Sequence, residues 1–295
     1  MPSVSADLAA MYTVTPYERR YRQVVLDLLY SSYQTHTHLD WYTVEHWLDN
    51  SPLTMRLAWN NSRLVGILGA SEALFGACWL RLVVIRDYMP TRVVLTALWD
   101  SLRQELQRNQ VQSVWILIGN DWLEEYVPGL NFEQAEMVIT LRRRSFDLPT
   151  PPLTGVAVRP VEAEDIDAIT RIDQTAFVPP WQLTRADLWQ ATRIAATCTT
   201  AWLDDRLVGY QLSTRHREAG HLARLAVLPE YQGKGIGGVL LHQMIKAFAH
   251  HSVRTLTVNT QLTNHHSRHL YENYGFQRNG YDMPVWTIDL TRTDD

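Results

Sequence analysis

Two stretches of this chain are variations on one another. Ala58-Trp59-Asn60-Asn61-Ser62-Arg63-Leu64-Val65-Gly66 returns 143 residues later as Ala201-Trp202-Leu203-Asp204-Asp205-Arg206-Leu207-Val208-Gly209. At the same offset Arg81-Leu82-Val83-Val84-Ile85 lies over Arg224-Leu225-Ala226-Val227-Leu228, and at nearly the same offset Val14-Thr15-Pro16 lies over Val158-Arg159-Pro160. Ordered matches at one spacing mean that one supersecondary unit is written twice, so the chain has to fold as two copies of a domain. A length of 295 residues holds two bodies of about 150. The proline-rich stretch Asp147 to Leu153 continues neither a helix nor a central strand. It divides the chain into residues 1–146, a connector over 147–154, and residues 155–295.

Each copy reads as mixed α/β. In the second, Val156 to Arg159 is a short strand, and Ile166, Ile169 and Ile172 mark one face of a following helix. Thr184 with Asp187 three positions on reads as a helix start. Strands over Thr200 to Trp202 and Leu207 to Leu212 flank the hairpin signal Asp204-Asp205. A strand from His221 stops at Pro229, and Ile236, Val239, Leu240, Met244, Ala247 and Phe248 then recur at helical spacing. A strand over Thr255 to Asn259, a helix through His269 to Asn273, and a closing strand Val285 to Leu290 complete the order β-α-α-β-β-β-α-β-α-β. This predicts a mixed, mostly antiparallel sheet flanked by helices in each copy.

Composition excludes several classes. A formal charge of −4 leaves no broad basic field for a nucleic-acid backbone, and Arg142-Arg143-Arg144 reads as a solvated strand end. Two cysteines, Cys78 and Cys198, supply neither a disulfide framework nor a zinc site. His265, His266 and His269 lie close together, but adjacent histidines on a helix diverge, so no metal is expected there. Met1 to Ala10 lacks the pattern of a secretory signal, and no apolar run approaches the roughly 18 residues of a membrane helix. A cytoplasmic protein with no membrane partner is expected.

The chemistry is concentrated at Gln232-Gly233-Lys234-Gly235-Ile236-Gly237-Gly238, between a strand and an amphipathic helix. The first turn of a helix leaves backbone N–H groups unpaired and carries a positive partial charge, and glycine lets a phosphate approach closely. A Walker A loop requires a hydroxyl residue after its lysine and is excluded, because Gly235 follows Lys234. Gly233, Gly235 and Gly238 do match the bare dinucleotide fingerprint, but a Rossmann unit opens its domain, whereas this loop lies deep inside one.

The loop resembles the Gln/Arg-x-x-Gly-x-Gly/Ala signature of the GNAT superfamily of acetyl-CoA-dependent acetyltransferases. Its lead-in Leu225 to Tyr231 and the later Asn264-x-x-Ser267-x-x-Leu270-Tyr271-Glu272-x-x-Gly275-Phe276 are similar to that family too. The resemblance covers about 155–290. It implies that Ala226 and Val227 offer backbone groups to the pantetheine arm of acetyl-CoA, as an added strand would. It further implies that Gln232, Gly233, Lys234, Gly235, Ile236 and Gly237 hold the pyrophosphate, that Asn264 contacts the arm, and that Tyr271 is the acid at the sulfur. The expected reaction is direct attack of an amine on the thioester, with no metal. His221, six residues before Val227, shares its face by the period-two rule and is the candidate base. A buried packing role for Tyr271 and a structural one for His221 stay open.

In the first copy the segment Arg86 to Leu95 carries no glycine, and the tyrosine motif survives only as Glu125-Tyr126 before Gly129. That copy is expected not to bind coenzyme in the usual way, and its aromatic stretch Tyr33 to Trp47 is either helix core or a pocket wall. The leading expectation is an N-acetyltransferase acting on a small-molecule amine or a protein N-terminus, as a monomer or homodimer. The alternative is a non-catalytic acyl-CoA sensor or scaffold. Phe177-Val178-Pro179-Pro180-Trp181 resembles the substrate-side segment of ribosomal-protein N-terminal acetyltransferases, and the layout is similar to that of mycothiol synthase.

Overall fold

The computed structural model describes residues 12–50, 54–119, 122–145, 147–152 and 154–292, so Met1 to Ala10 and Leu153 of the connector lie outside the described residues. The chain forms two compact units, one of Met1–Ala135 with Pro284–Asp295, the other of Glu136–Met283. The cut at the connector therefore separates the sequence repeats and not the compact bodies. Residues 136–145 and the connector belong to the second unit, and the last strand ends in the first.

In the first unit the chain runs β1 (Thr13–Pro16), α1 (Arg22–Ser31), β2 (Gln34–Thr37), α2 (Val44–Asn50), β3 (Thr54–Asn60), β4 (Arg63–Ala70), β5 (Ala77–Ile85), α3 (Thr91–Arg108) and β6 (Ser113–Leu117). Strands β1, β3, β4 and β5 are antiparallel neighbours, and β6 pairs parallel with β5 through Ala77–Ser113, Cys78–Val114 and Trp79–Trp115. Beyond Trp79 the same edge of β5 is taken by β2, with Thr37 opposite Leu82 and Gln34 opposite Ile85. The apolar residues of α3, among them Val94, Leu98 and Leu102, pack on one face, while α1 and Trp47 pack on the other. Trp47 is thus core, whereas Tyr33 is exposed. Cys78 is a free thiol in this core, pushed up to about 12 by burial.

In the second unit β7 (Glu133–Arg144) leads through the connector to β8 (Ala157–Pro160), α4 (Ile166–Ala176), α5 (Arg185–Ile194), β9 (Thr197–Leu203), β10 (Arg206–His216), β11 (Ala219–Val227), α6 (Ile236–His250), β12 (Thr255–Gln261), α7 (His265–Asn273) and the start of β13 (Gln277–Asp289). From β8 onward this is the element order the sequence predicts. The sheet order is β8-β9-β10-β11-β12-β7, antiparallel except for β11–β12. Asp204 and Asp205 both take positive φ and make the β9–β10 turn. Thr184 and Asp187 form a reciprocal capping box at α5.

One expected strand is placed differently. The sequence pattern predicts that Val285 to Leu290 closes the sheet of the second copy, but Val285 to Asp289 pairs with β6 and closes that of the first unit. The second unit is closed instead by Val138 to Arg144 of β7, against β12. A single-chain pattern cannot distinguish these pairings, because the two copies present equivalent edges. Among the described residues, no helix is long and apolar enough to cross a membrane.

Candidate active site

Strands β11 and β12 form a fork in the second unit. They pair only from Ala219–Thr255 to Leu222–Val258 and then separate. The cause lies in β11: Leu212 of β10 faces Arg224 while Ser213 faces Leu222, so Ala223 is an extra residue, a β-bulge that bends the strand. Above the bulge β11 stays paired with β10 alone. The carbonyl of Ala226 lies on that side, since a Cβ added to Gly209 would sit 2.8 Å from it. Leu228 N–H likewise donates to Val208 O at 2.9 Å. Strand alternation therefore turns the peptide groups of Leu225 and Val227 toward the fork. Ala226, expected to offer backbone groups to a coenzyme arm, has them turned to β10, and Leu225 takes its place beside Val227.

The turn above the fork is shaped for an anion. Gly233 and Gly235 both adopt positive φ (74° and 80°). Gly235 is the N-cap of α6 with no side-chain cap, and Val239 N–H is bonded to its carbonyl. By helix geometry Ile236, Gly237 and Gly238 present N–H groups without intrahelical acceptors. A Cβ at Gly233 would meet nothing within 4 Å, so that side is open. Gly235 and Gly238 are glycines for another reason: a Cβ at either would lie 3.0 Å from Pro152 of the connector. The connector is held there by His242, whose Nδ1–H donates to Pro149 O at 2.9 Å. Gln232 Nε2 donates to Val227 O at 3.0 Å and fixes the turn to the end of β11. Lys234 is exposed, its ammonium 4.9 Å from the Tyr231 ring centroid, and Ile236 is core, so its side chain is unavailable to a ligand. Free N–H groups, a positive helix end and an open glycine side fit a diphosphate.

Tyr271 stands on α7, 5% exposed, with its ring 6.0 Å from that of Phe276. Burial raises its pKa above the ordinary phenol value, so the hydroxyl keeps its proton at neutral pH. Asn264 is the N-cap of α7: its Oδ1 accepts from Ser267 N–H at 3.1 Å, and its side-chain amide also has N–H donors. His265, His266 and His269 are exposed, with His269 bonded to Asn273.

His221 lies just below the fork, with Nδ1 2.9 Å from Thr257 Oγ1, and burial lowers its pKa, favouring neutral imidazole. The bulge reverses alternation between it and Val227. Leu222 packs against α6 with Leu241 and Met244, and Val227 packs against Ile236 and Leu240, also of α6. His221 consequently projects to the opposite face, the one on which Arg224 meets α4. The shared face predicted for His221 and Val227 is not found, because a bulge is invisible to a period-two count.

That second face carries residues the sequence reading missed. Asp173 of α4 is fully buried and accepts from Tyr210 Oη (2.5 Å), Arg224 Nε (2.6 Å), Arg224 Nη2 (2.8 Å) and Leu183 N–H (2.8 Å). Arg224 Nη2 also donates to Trp181 O at 2.5 Å, and its guanidinium lies 3.6 Å from the Phe177 ring centroid. The available signal was an aspartate flanking the apolar Ile169–Ile172 face and an arginine inside an apolar strand. Asn259, the first residue of β12 beyond the fork, is exposed, and its Oδ1 accepts from Thr140 Oγ1 at 3.0 Å.

A forked parallel pair beneath a glycine-lined helix start can take an extended arm along the strand edge and an anion at the end of that arm. Residues 166–276 match the family described as "Acetyltransferase (GNAT) family". The chain is 30% identical over 112 residues to the [ribosomal protein bS18]-alanine N-acetyltransferase of Salmonella typhimurium, covering 38% of this chain and 74% of that protein. It is 26% identical over 199 residues to the mycothiol acetyltransferase of Acidimicrobium ferrooxidans, covering 59% and 62%. A tandem GNAT protein from the clavulanic acid biosynthesis pathway shares the fold, with a TM-score of 0.66 at 15% identity over 96% of this chain and all of that one. The chain belongs to the GNAT acetyltransferase family, whose members use acetyl-CoA, and it is an acyltransferase of tandem architecture.

Proposed function

We propose that the second unit transfers the acetyl group of acetyl-CoA to a primary amine. The observation that carries this reading is the open fork, flanked above by the anion-receptive turn at Gln232–Gly237 and beside it by the protonated phenol of Tyr271. Leu225 and Val227 hold the pantetheine arm as an added strand, and N–H groups of the turn hold its diphosphate. Attack of the neutral amine on the thioester carbon forms the C–N bond and breaks the C–S bond. Val227 N–H stabilises the oxygen on which charge develops, Tyr271 gives its proton to the departing sulfur, and His221, directly or through water, takes the proton from nitrogen.

The acceptor we favour is the free N-terminus of a protein. Several relatives of this chain are alanine N-acetyltransferases of ribosomal protein bS18, matched over 129 and 112 residues. The mycothiol acetyltransferase supports a small-molecule amine as the competing acceptor. Thiol release from acetyl-CoA is the test, run with short peptides bearing a free N-terminal alanine and with small primary amines. We expect amine-dependent release that is lost in Tyr271→Phe. Tight acetyl-CoA binding without turnover on any amine would replace this reading with a sensor.

A further inference from the structure

Arg81 and Arg224 are equivalents in the sequence repeat, and each sits where its strand bulges at the fork of its own unit. In the first unit the register of β5 slips between Leu80 and Leu82. Arg81 there donates to the carbonyl of His38 at 2.9 Å and to Asp40 Oδ2 at 2.6 Å. In the second unit Arg224 donates to the carbonyl of Trp181 and to both oxygens of Asp173. The two carboxylates are not equivalents: Asp40 belongs to the segment being held, whereas Asp173 belongs to the helix before it. What recurs is the relationship. An arginine at the fork holds a main-chain carbonyl in the connection between the first two helices, and a carboxylate orients the arginine.

The segment so held in the second unit is anchored at several points, with Phe177 N–H on Asp173 O at 3.0 Å, Gln182 Nε2 on Gln174 O at 2.7 Å, and Pro180 and Leu183 buried. Phe177 to Leu183 forms no regular strand or helix, and Val178 at its tip is 69% exposed. Its main chain is tied down by Arg224 on Trp181 O, by Asp173 on Leu183 N–H, and by Gln174 Nε2 on Leu183 O at 3.1 Å. A buried ion pair contributes less to stability than apolar packing of the same volume, but its geometry is strict. A bidentate guanidinium, further fixed by the hydroxyl of Tyr210 on the same carboxylate, defines one position for the segment.

We propose that Arg224, oriented by Asp173, is a positioning residue that sets the wall of the amine-acceptor site formed by Phe177–Leu183. The inference rests on the acetyltransferase reading above, which makes this face, shared by His221 and Asn259, the side from which the amine arrives. The coenzyme track runs along the other contacts, Leu225, Val227 and the glycine turn, so the clamp governs acceptor recognition and leaves coenzyme affinity alone.

The test uses the full chain with Arg224→Lys, which keeps the charge but loses the fork of donors, and with Asp173→Asn, which keeps the shape but loses the charge. Three quantities are measured: amide hydrogen exchange over 177–184, kcat and KM for an N-terminal alanine peptide or whichever amine supports turnover, and the Kd for CoA. Expected are an exchange rate about tenfold faster in that segment, with α6 and β10 unchanged. The acceptor KM should rise about tenfold while the CoA Kd stays within about twofold. Unchanged exchange, or an acceptor KM and a CoA Kd that move together, would overturn the proposal. If the wild-type chain turns over no amine, the acetyltransferase reading falls by itself. Exchange and CoA binding then still decide whether the clamp holds the segment independently of the coenzyme site. Should Arg224→Lys not fold, Asp173→Asn carries the same readouts.

Discussion

Gln232 donates from its side-chain amide to the carbonyl of Val227 at 3.0 Å, joining the first residue of the glycine turn to the last residue of β11. The bond couples two parts of the proposed coenzyme site, the N–H groups of the helix start and the edge of the fork. Gln232 is largely exposed, so its replacement leaves no buried group without a partner on its own side. In Gln232→Ala we expect a loss of about 1 kcal/mol in coenzyme binding, roughly fivefold in Kd, with thermal stability nearly unchanged. Calorimetric titration with CoA beside a melting curve reads both.

Gly233 and Gly235 share a left-handed backbone but not an environment. Gly233→Ala places a methyl group in open space on the side proposed to receive the diphosphate, whereas Gly235→Ala drives one to 3.0 Å from Pro152 and Thr154. Both carry the strain of positive φ, about 1–2 kcal/mol. Overpacking against the connector adds about 1–3 kcal/mol at Gly235 alone. Gly233→Ala should therefore show mainly a weaker CoA Kd, and Gly235→Ala mainly a lower Tm. The reverse pattern would mean that the connector does not seat on this turn.

Much of this architecture is legible in the sequence because it is local. The Asp204-Asp205 turn, the Thr184–Asp187 cap and the apolar stripe of α6 each depend on residues a few positions apart. What escaped the reading depends on partners distant in sequence. A bulge at Ala223 has no signature of its own, yet it moves His221 to the other face and exchanges Ala226 for Leu225 at the fork. The Asp173–Arg224 pair spans 51 residues. Nor does any local pattern tell Val285 to Asp289 to pair with β6, since the edge of β12 offers equivalent hydrogen bonds.

Tyr271 and His221 make opposite demands on pH. Burial raises the phenol, so Tyr271 remains a proton donor well into alkaline solution and sets no limit near neutrality. Tyr271→Phe should lower kcat by about 100-fold while leaving the CoA Kd within about twofold. A substitution that lost both together would identify Tyr271 as packing alone.

His221 has its pKa lowered by burial from the ordinary 6.5. Above 6.5 the imidazole is neutral folded or unfolded, and the shift has no effect on stability. As pH falls below 6.5 the unfolded chain takes up the proton first, so stability declines until the folded pKa is passed. Melting curves from pH 7.5 to 5 should show this loss in the wild type and a smaller one in His221→Gln. If His221 is also the base, the acid limb of kcat/KM has its midpoint below 6.5 and disappears in the same variant. A limb that persists unaltered would assign the proton to solvent.

The first unit differs from the second where coenzyme would enter. Its fork between β5 and β6 opens after Trp79 and Trp115, yet the free edge of β5 is paired with Gln34 to Thr37 of the same chain. His38 N–H extends the ladder by donating to Arg81 O at 2.9 Å. Leu82 and Val84 are the repeat equivalents of Leu225 and Val227, so β2 takes the hydrogen bonds that an added strand would need. Displacing four paired residues would forfeit their ladder bonds and release Leu39 and Trp47 from the core behind them. The helix that follows starts at Thr91 after Pro90, with no glycine to bring a phosphate near its end. Titration of the full chain with CoA should give one equivalent per chain. A second equivalent that survives Gly233→Ala would show that β2 yields to the coenzyme and that both forks are sites.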